Sequence, residues 1–232
     1  FTWIDAPPST LNDMLSRGEI HAAPSSSFEY IKHWKQYVLL PDYCTASTLE
    51  IRSVKLFSQI PLESLNGHAI YLTPQSATSV ALWRILASRH GICFTPTVDA
   101  QHCTAKVLIG DEALCESWRA TWKYEYDLAT LWQQEFQLPF VFGLWIVHRQ
   151  VLEDPHLSTQ LSKFRHALAE SIHSFYADAD HALQHWMSHY PSPLNPQQLH
   201  GYYQAIDYRF SSAHRKSLEL FAALCLQHGL IS

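Results

Sequence analysis

Apolar and polar positions follow two regimes along this 232-residue chain. For about two thirds of its length, short apolar runs of strand character alternate with stretches of helical period. Residues 1–4 (Phe-Thr-Trp-Ile) read as a strand. Ser9 is placed to cap a helix through residue 17, with Gly18 at the stop position. A short strand follows at 20–23, and a helix starts at Ser26 or Ser27. Residues 37–40 read as a strand ended by Pro41-Asp42, and 51–57 as a strand ended near Pro61. After the Asn66-Gly67 turn come a strand at 68–72 and the strongest helical pattern, 77–90. Its Val80, Trp83, Leu86 and Ala87 share one face, and Gly91 closes it. A buried strand is expected at 107–110, then a helix capped by Asp111, a second capped by Asp127 through residue 136, and an apolar strand at 140–147. From Pro155 only helices are expected: 155–190 with a break near 177–180, then 196–206 and 212–228, the first two separated by Pro191-Ser192-Pro193.

Strand–helix alternation followed by helices predicts an α/β protein with a largely parallel sheet. The strands at 51–57 and 140–147 bracket a middle block, as in a hinged two-lobe binder. The expected division is lobe I from 1–58 and 140–232, including the C-terminal helices, and lobe II from 59–139, with the ligand in the cleft between them.

Composition narrows the partners. Apolar residues make up 47% and charged residues 16%, which excludes a disordered chain. A net charge of −5 argues against nucleic acid. The longest strongly apolar run, 138–147, is half the roughly 20 residues that a membrane span needs. No basic-then-apolar leader opens the sequence, so the expected setting is cytoplasmic. Five widely spaced cysteines without a C-x-x-C fit reduced, mostly buried thiols there.

Dinucleotide, P-loop and esterase motifs are absent (G-x-G-x-x-G, G-x-x-x-x-G-K, G-x-S-x-G), as is H-E-x-x-H. His181, His185 and His189 are spaced four apart, but no fourth ligand shares their face, so a solvated polar face is expected rather than a metal site. The informative features are hydroxyl-rich strand-to-helix turns: Pro24-Ser25-Ser26-Ser27, and Thr73-Pro74-Gln75-Ser76-Ala77-Thr78-Ser79, with Ser53 in a strand. Each turn sets hydroxyls beside the free N–H groups of a helix start, which favours a carboxylate. One such serine alone is ordinarily a helix cap; two turns together predict an anion-binding cleft. Neither turn contains Lys or Arg, so a small carboxylate fits better than a phosphate-rich ligand, and Arg52 is the nearby cation. Asp111 at a strand end is read as a cap before it is read as catalytic.

Several of these segments together resemble the chorismate dehydratases of the futalosine route to menaquinone. They are Pro24-Ser25-Ser26-Ser27-Phe28-Glu29-Tyr30, Ser53-Val54-Lys55-Leu56-Phe57-Ser58, Leu72-Thr73-Pro74-Gln75-Ser76-Ala77-Thr78-Ser79-Val80, Leu108-Ile109-Gly110-Asp111-Glu112-Ala113-Leu114 and Leu138-Pro139-Phe140-Val141-Phe142-Gly143-Leu144-Trp145. The resemblance spans essentially the whole chain. It implies a two-lobe fold like that of type-II periplasmic binding proteins, with a helical C-terminal tail. The sequence differs from that family's pattern in three ways. A preceding strand with a Tyr-Leu-Asn-type motif is expected before Phe1, Arg52 stands where a small residue is usual, and Ser25 replaces a usual Val.

What the resemblance implies is dehydration of chorismate to 3-(1-carboxyvinyloxy)benzoate without metal or organic cofactor, in a monomer or homodimer with no nucleic-acid or membrane partner. The implied substrate-binding residues are Ser26, Ser27, Ser53, Thr73, Ser76, Ala77, Thr78 and Ser79. The expected proton acceptor is the substrate's own enolpyruvyl carboxylate, with Asp111 or Glu29 as the weaker alternative. A non-catalytic binder of a small carboxylate and the related 1,4-dihydroxy-6-naphthoate synthase are the competing readings.

Overall fold

The computed structural model describes residues 2–6, 8–190, 192 and 194–231, with backbone only for Pro8 and Ser9. In chain order the elements are α1 (Pro8–Ser16), β1 (Ala22–Ser26), α2 (Ser27–Lys32), β2 (Tyr37–Ser47), β3 (Val54–Ser58), β4 (Ala69–Leu72), α3 (Ala77–Arg89), β5 (Thr95–Thr97), β6 (Ala105–Ile109), α4 (Gly110–Arg119), β7 (Tyr124–Asp127), α5 (Leu128–Phe136), β8 (Phe140–His148), α6 (Pro155–Ala177), α7 (Ala179–His189), α8 (Pro196–Gln204), β9 (Asp207–Arg209) and α9 (Ser212–Gln227).

These strands form two sheets, one of order β1-β8-β2-β9 and one of order β5-β4-β6-β3-β7. The first is antiparallel throughout, and in the second only β4 pairs in parallel, with β5 and β6. The expected largely parallel sheet is therefore corrected. The strand that returns from the middle block, β8, enters between β1 and β2 running against both. Residues 48–53 carry the chain from the first sheet to the second, and 137–139 carry it back.

Other differences have local causes. Strand β2 runs through Pro41 because a register shift between Leu39 and Cys44 leaves that stretch unpaired with β8, where a missing N–H costs nothing. Strand β3 begins only at Val54 because Arg52 has φ +65°, outside extended backbone. The strand expected at 20–23 is found at Ala22–Ser26. Phe1 lies outside the described residues, and Thr2–Ile4 join no sheet. The Ser9 side chain, Pro191 and Pro193 also lie outside them. Asp111 is not the cap of α4: the chain turns at Gly110, φ +58°, and Ile109 holds the capping position. Strands β5, β7 and β9 have no counterpart in the sequence pattern. No helix among the described residues is long and apolar enough to cross a membrane. Of the five free cysteines only Cys44 and Cys225 are buried, which pushes both thiols up to about 12; Cys93 is exposed.

The core ties both sheets together around Trp132 of α5. Its fully buried ring lies 4.3 Å from Phe136, 5.0 Å from Phe140 of β8 and 6.0 Å from Phe221 of α9, centroid to centroid. The indole Nε1 donates to Ser217 Oγ at 3.0 Å, so the polar edge is satisfied as well.

Helix α9 carries a pH-sensitive start. His214 Nδ1 lies 3.1 Å from the Ser211 N–H and 2.8 Å from its hydroxyl, within a capping box. Burial lowers the imidazole pKa, outweighing the opposing pull of Asp207. A depressed folded pKa means this contribution is fully present above the unfolded value of about 6.5 and is lost as pH falls through the folded one. The wild type should therefore lose more thermal midpoint than His214→Gln between about pH 7.5 and about pH 5. Equal losses would remove His214 from the acid response.

Candidate functional site

The hydroxyl-rich turns follow the carboxyl ends of β1 and β4, one in each sheet. Ser26 ends β1 and caps α2, its Oγ accepting from Glu29 N at 3.2 Å. Thr73 follows β4, with its N–H on Val107 O at 3.2 Å and its Oγ1 accepting from Gln75 N at 3.2 Å. Ser76 caps α3, its Oγ 3.1 Å from Ser79 N and 2.9 Å from Ser79 Oγ. Ser53 precedes β3, and its carbonyl accepts from Gly110 N at 2.7 Å. The register of β3, β4 and β6 puts Ser53, Thr73 and Gly110 at one end of the second sheet, the carboxyl end of β4 and β6. Such edges, outside strand carboxyl ends where helices begin, are where open α/β sheets bind ligands.

The two helix starts meet. Phe28 N of α2 donates to Thr78 Oγ1 of α3 at 3.1 Å. Both turns singled out in the sequence thus form one cluster around Ser27, Phe28 and Thr78. Ser27 is fully buried, and its Oγ has no hydrogen-bond partner among the described residues. Burying an unpaired hydroxyl costs about 1–3 kcal/mol, so it is rarely left so without a use. Thr73, Thr78 and Ser79 are each 2% exposed, while Ala77 is exposed at the first turn of α3.

The remaining sequence candidates fall outside this cluster. Asp111 is exposed in the first turn of α4. The Glu29 carboxylate is taken up by the Tyr37 hydroxyl at 3.4 Å and by His33 Nε2 at 3.8 Å. Ser25 donates to Asn12 Oδ1. Arg52 is held by Glu50, with Nε at 2.7 Å from Oε1. The His189 ring lies 4.7 Å from that of His185, with Nδ1 2.9 Å from the His185 carbonyl, and no group of three metal-ligating side chains exists among the described residues.

Two contacts of the neighbourhood escape a reading of the sequence. Tyr202 of α8 has its hydroxyl 3.2 Å from Ser53 Oγ. Asp127 is the helix cap that the sequence predicts, with Oδ1 accepting from Ala129 N at 3.0 Å and Thr130 N at 3.2 Å. Its Oδ2 also accepts from Ile51 N at 3.1 Å and Arg52 N at 2.7 Å, which pins the turn before Ser53. Both contacts span long separations in the chain, so no local pattern announces them.

A cavity of about 540 Å³ lies elsewhere, between Thr2–Ile4, β1 and α6. Trp3, Ile20, Trp145, Leu161 and Phe164 line it, with no Lys, Arg or strand-to-helix hydroxyl. Its wall is mostly apolar and carries the Glu19 carboxylate beside His21 and Gln160, so it offers a substrate carboxylate less than the hydroxyl cluster, which remains the candidate site.

The family described as menaquinone biosynthesis matches residues 1–227. The chain belongs to that family. Within it, the chain is similar to the chorismate dehydratase of Thermus thermophilus, at 32% identity covering 74% of this chain and 69% of that protein. Solved structures share the fold. A protein of Archaeoglobus fulgidus covers 99% of this chain and 86% of its own at a TM-score of 0.74 and 19% identity. The alkanesulfonate-binding protein of Xanthomonas axonopodis pv. citri covers 100% and 83% at 0.70 and 14%. The menaquinone-family chain is thus built on a periplasmic-binding-protein-like fold with a helical C-terminal region, as its sequence predicts.

Proposed function

We propose that this menaquinone-family protein is a cytoplasmic chorismate dehydratase of the futalosine route. It is proposed to work as two lobes, one around each sheet, with the substrate between them. The crossings at 48–53 and 137–139 are the proposed hinges, with β3 proposed to move with the second lobe because it belongs to the second sheet. The observation that carries the reading is the joined start of α2 and α3, with the buried, unpaired Ser27 hydroxyl among neutral donors. The 32% identical chorismate dehydratase supports the choice of substrate.

The chemistry asks for such a site. The hydrogen on the ether-bearing ring carbon is vinylogous to the ring carboxylate. Its removal leaves an electron pair delocalised into that carboxylate. The pair then forms the new ring double bond as the neighbouring hydroxyl departs as water, taking up the proton released. The ring becomes aromatic, which drives the step. The protein's part is to hold the carboxylate where its charge grows and to fix the conformer. Ser26, Ser27, Ser53, Thr73, Ser76, Thr78 and Ser79, with the backbone N–H groups at Ala77 and its neighbours, are the proposed binding set.

Glu29 is occupied and Asp111 lies out on the surface, so the substrate's enolpyruvyl carboxylate is the proposed proton acceptor. Asp111→Asn should keep turnover within about threefold, whereas loss of a general base would cost about 10²–10⁴-fold. Incubation with chorismate, followed by ultraviolet absorbance and proton NMR, tests the function itself. A benzoate product is expected. Chorismate-dependent thermal stabilisation without product would make the protein a binder, and neither result would turn attention to the naphthoate synthase reaction.

A further inference from the structure

Helix α8 belongs to the C-terminal helical region, yet it reaches the edge of the second sheet. Leu199 of α8 packs with Leu183, Leu194 and Leu114 of α4, and Tyr202 and Tyr203 lie against that cluster and against the main core. Two consecutive residues of α8 then meet two consecutive residues of the 48–53 crossing. At Gly201, a Cβ would come within 2.9 Å of Arg52 Nη1, so the missing side chain leaves room for that guanidinium beside the helix while Glu50 holds its Nε and Nη2. At Tyr202, the phenol hydroxyl sits 3.2 Å from Ser53 Oγ. Ser53 is 5% exposed, and its carbonyl is already committed to Gly110.

This pairing limits what Ser53 can offer. A serine hydroxyl gives one proton and accepts through two lone pairs. When the phenol donates to Ser53 Oγ, the serine proton is free to point to a third group. Hydrogen bonds arranged head to tail polarise one another, so the serine becomes a better donor. Burial pushes the Tyr202 hydroxyl pKa up, and the negative charge of Asp111 acts in the same direction, so the phenol keeps its proton across the neutral range.

We propose that Tyr202 is a positioning residue: it donates to Ser53 and aims the Ser53 proton at a substrate carboxylate. The inference rests on the reading of Ser53 as a carboxylate donor for chorismate. It makes the C-terminal helical region a contributor to the site, through one hydroxyl.

Steady-state kinetics on chorismate with Tyr202→Phe, Ser53→Ala and the double variant, each in the full chain, test it. Phe keeps the ring and its packing, and a thermal midpoint close to that of the wild type confirms it. Tyr202→Phe is expected to lower kcat/KM by about 3- to 10-fold. In the Ser53→Ala background the same change is expected to cost nothing further, because the phenol then has no serine to aim. A loss of the same size in both backgrounds, or none in either, overturns the proposal. An active wild type with such additive losses overturns this inference alone. A wild type that neither binds nor converts chorismate overturns the functional reading, and this inference with it.

Discussion

Asp127→Ala should lower stability by about 3 kcal/mol, read as a drop of roughly 6–12 °C in thermal midpoint for a chain of this size. One carboxylate accepts four backbone N–H groups, two at the start of α5 and two at Ile51 and Arg52. Loss of the helix cap alone costs about 1 kcal/mol. The other two donors then sit in a part-buried turn without an acceptor, at about 1–3 kcal/mol each. Burial pushes the Asp127 carboxyl pKa up in spite of its four donors. The ionised group is therefore incompletely repaid for its own desolvation, which holds the total near the low end of that sum. Asn is no substitute. Its single carbonyl serves one pair of donors, while its NH₂ turns two further donors onto the other pair. The consequence reaches the site, because the Asp127 carboxylate anchors the N–H of Arg52 at its φ of +65°, and Ser53 follows it directly. Thermal unfolding followed by circular dichroism checks the figure. A shift under about 2 °C would mean that the turn is held by other contacts.

The same residue shows where sequence reading works and where it stops. The cap at Asp127 is legible because a cap is local: an acid just before an apolar-periodic run. Its second pair of bonds joins residues 75 and 76 positions apart, and no spacing reports that. The strands divide in the same way. Central β8 is an apolar run interrupted only by Gly143 before its final His148, and its pattern places it almost to the residue. Strands β5, β7 and β9 escape the pattern, and all three are sheet edges. Thr95–Thr97 even contains a proline, and none of the three has a fully buried position to set a pattern. Sheet direction is misjudged from sequence because alternation of strand and helix constrains the connections within a block, not the direction in which β8 re-enters the first sheet. For the site, residue type and helix starts are enough to name the hydroxyls. That α2 and α3 touch through Phe28 and Thr78 needs the fold.

Ser27→Ala should move stability and activity in opposite directions. The Ser27 hydroxyl is fully buried and unpaired, and its removal relieves that cost. A gain of about 1 kcal/mol is expected, or roughly 2–4 °C in thermal midpoint. Ala is also the better helix former at this first position of α2. A hydroxyl kept for packing alone would show this gain and nothing else. If it is instead held for the growing charge on the ring carboxylate, its loss removes a preorganised donor, and turnover of chorismate should fall by about 10²-fold. The chorismate-induced rise in thermal midpoint should shrink in parallel. Proteins commonly trade stability for such a site, and the two signs together separate that trade from a packing defect, which would lower both. A variant that is more stable and fully active would sink the assignment of Ser27. The adjacent Thr78→Val then serves as the control. It strips the acceptor from Phe28 N and is expected to lower stability and activity together.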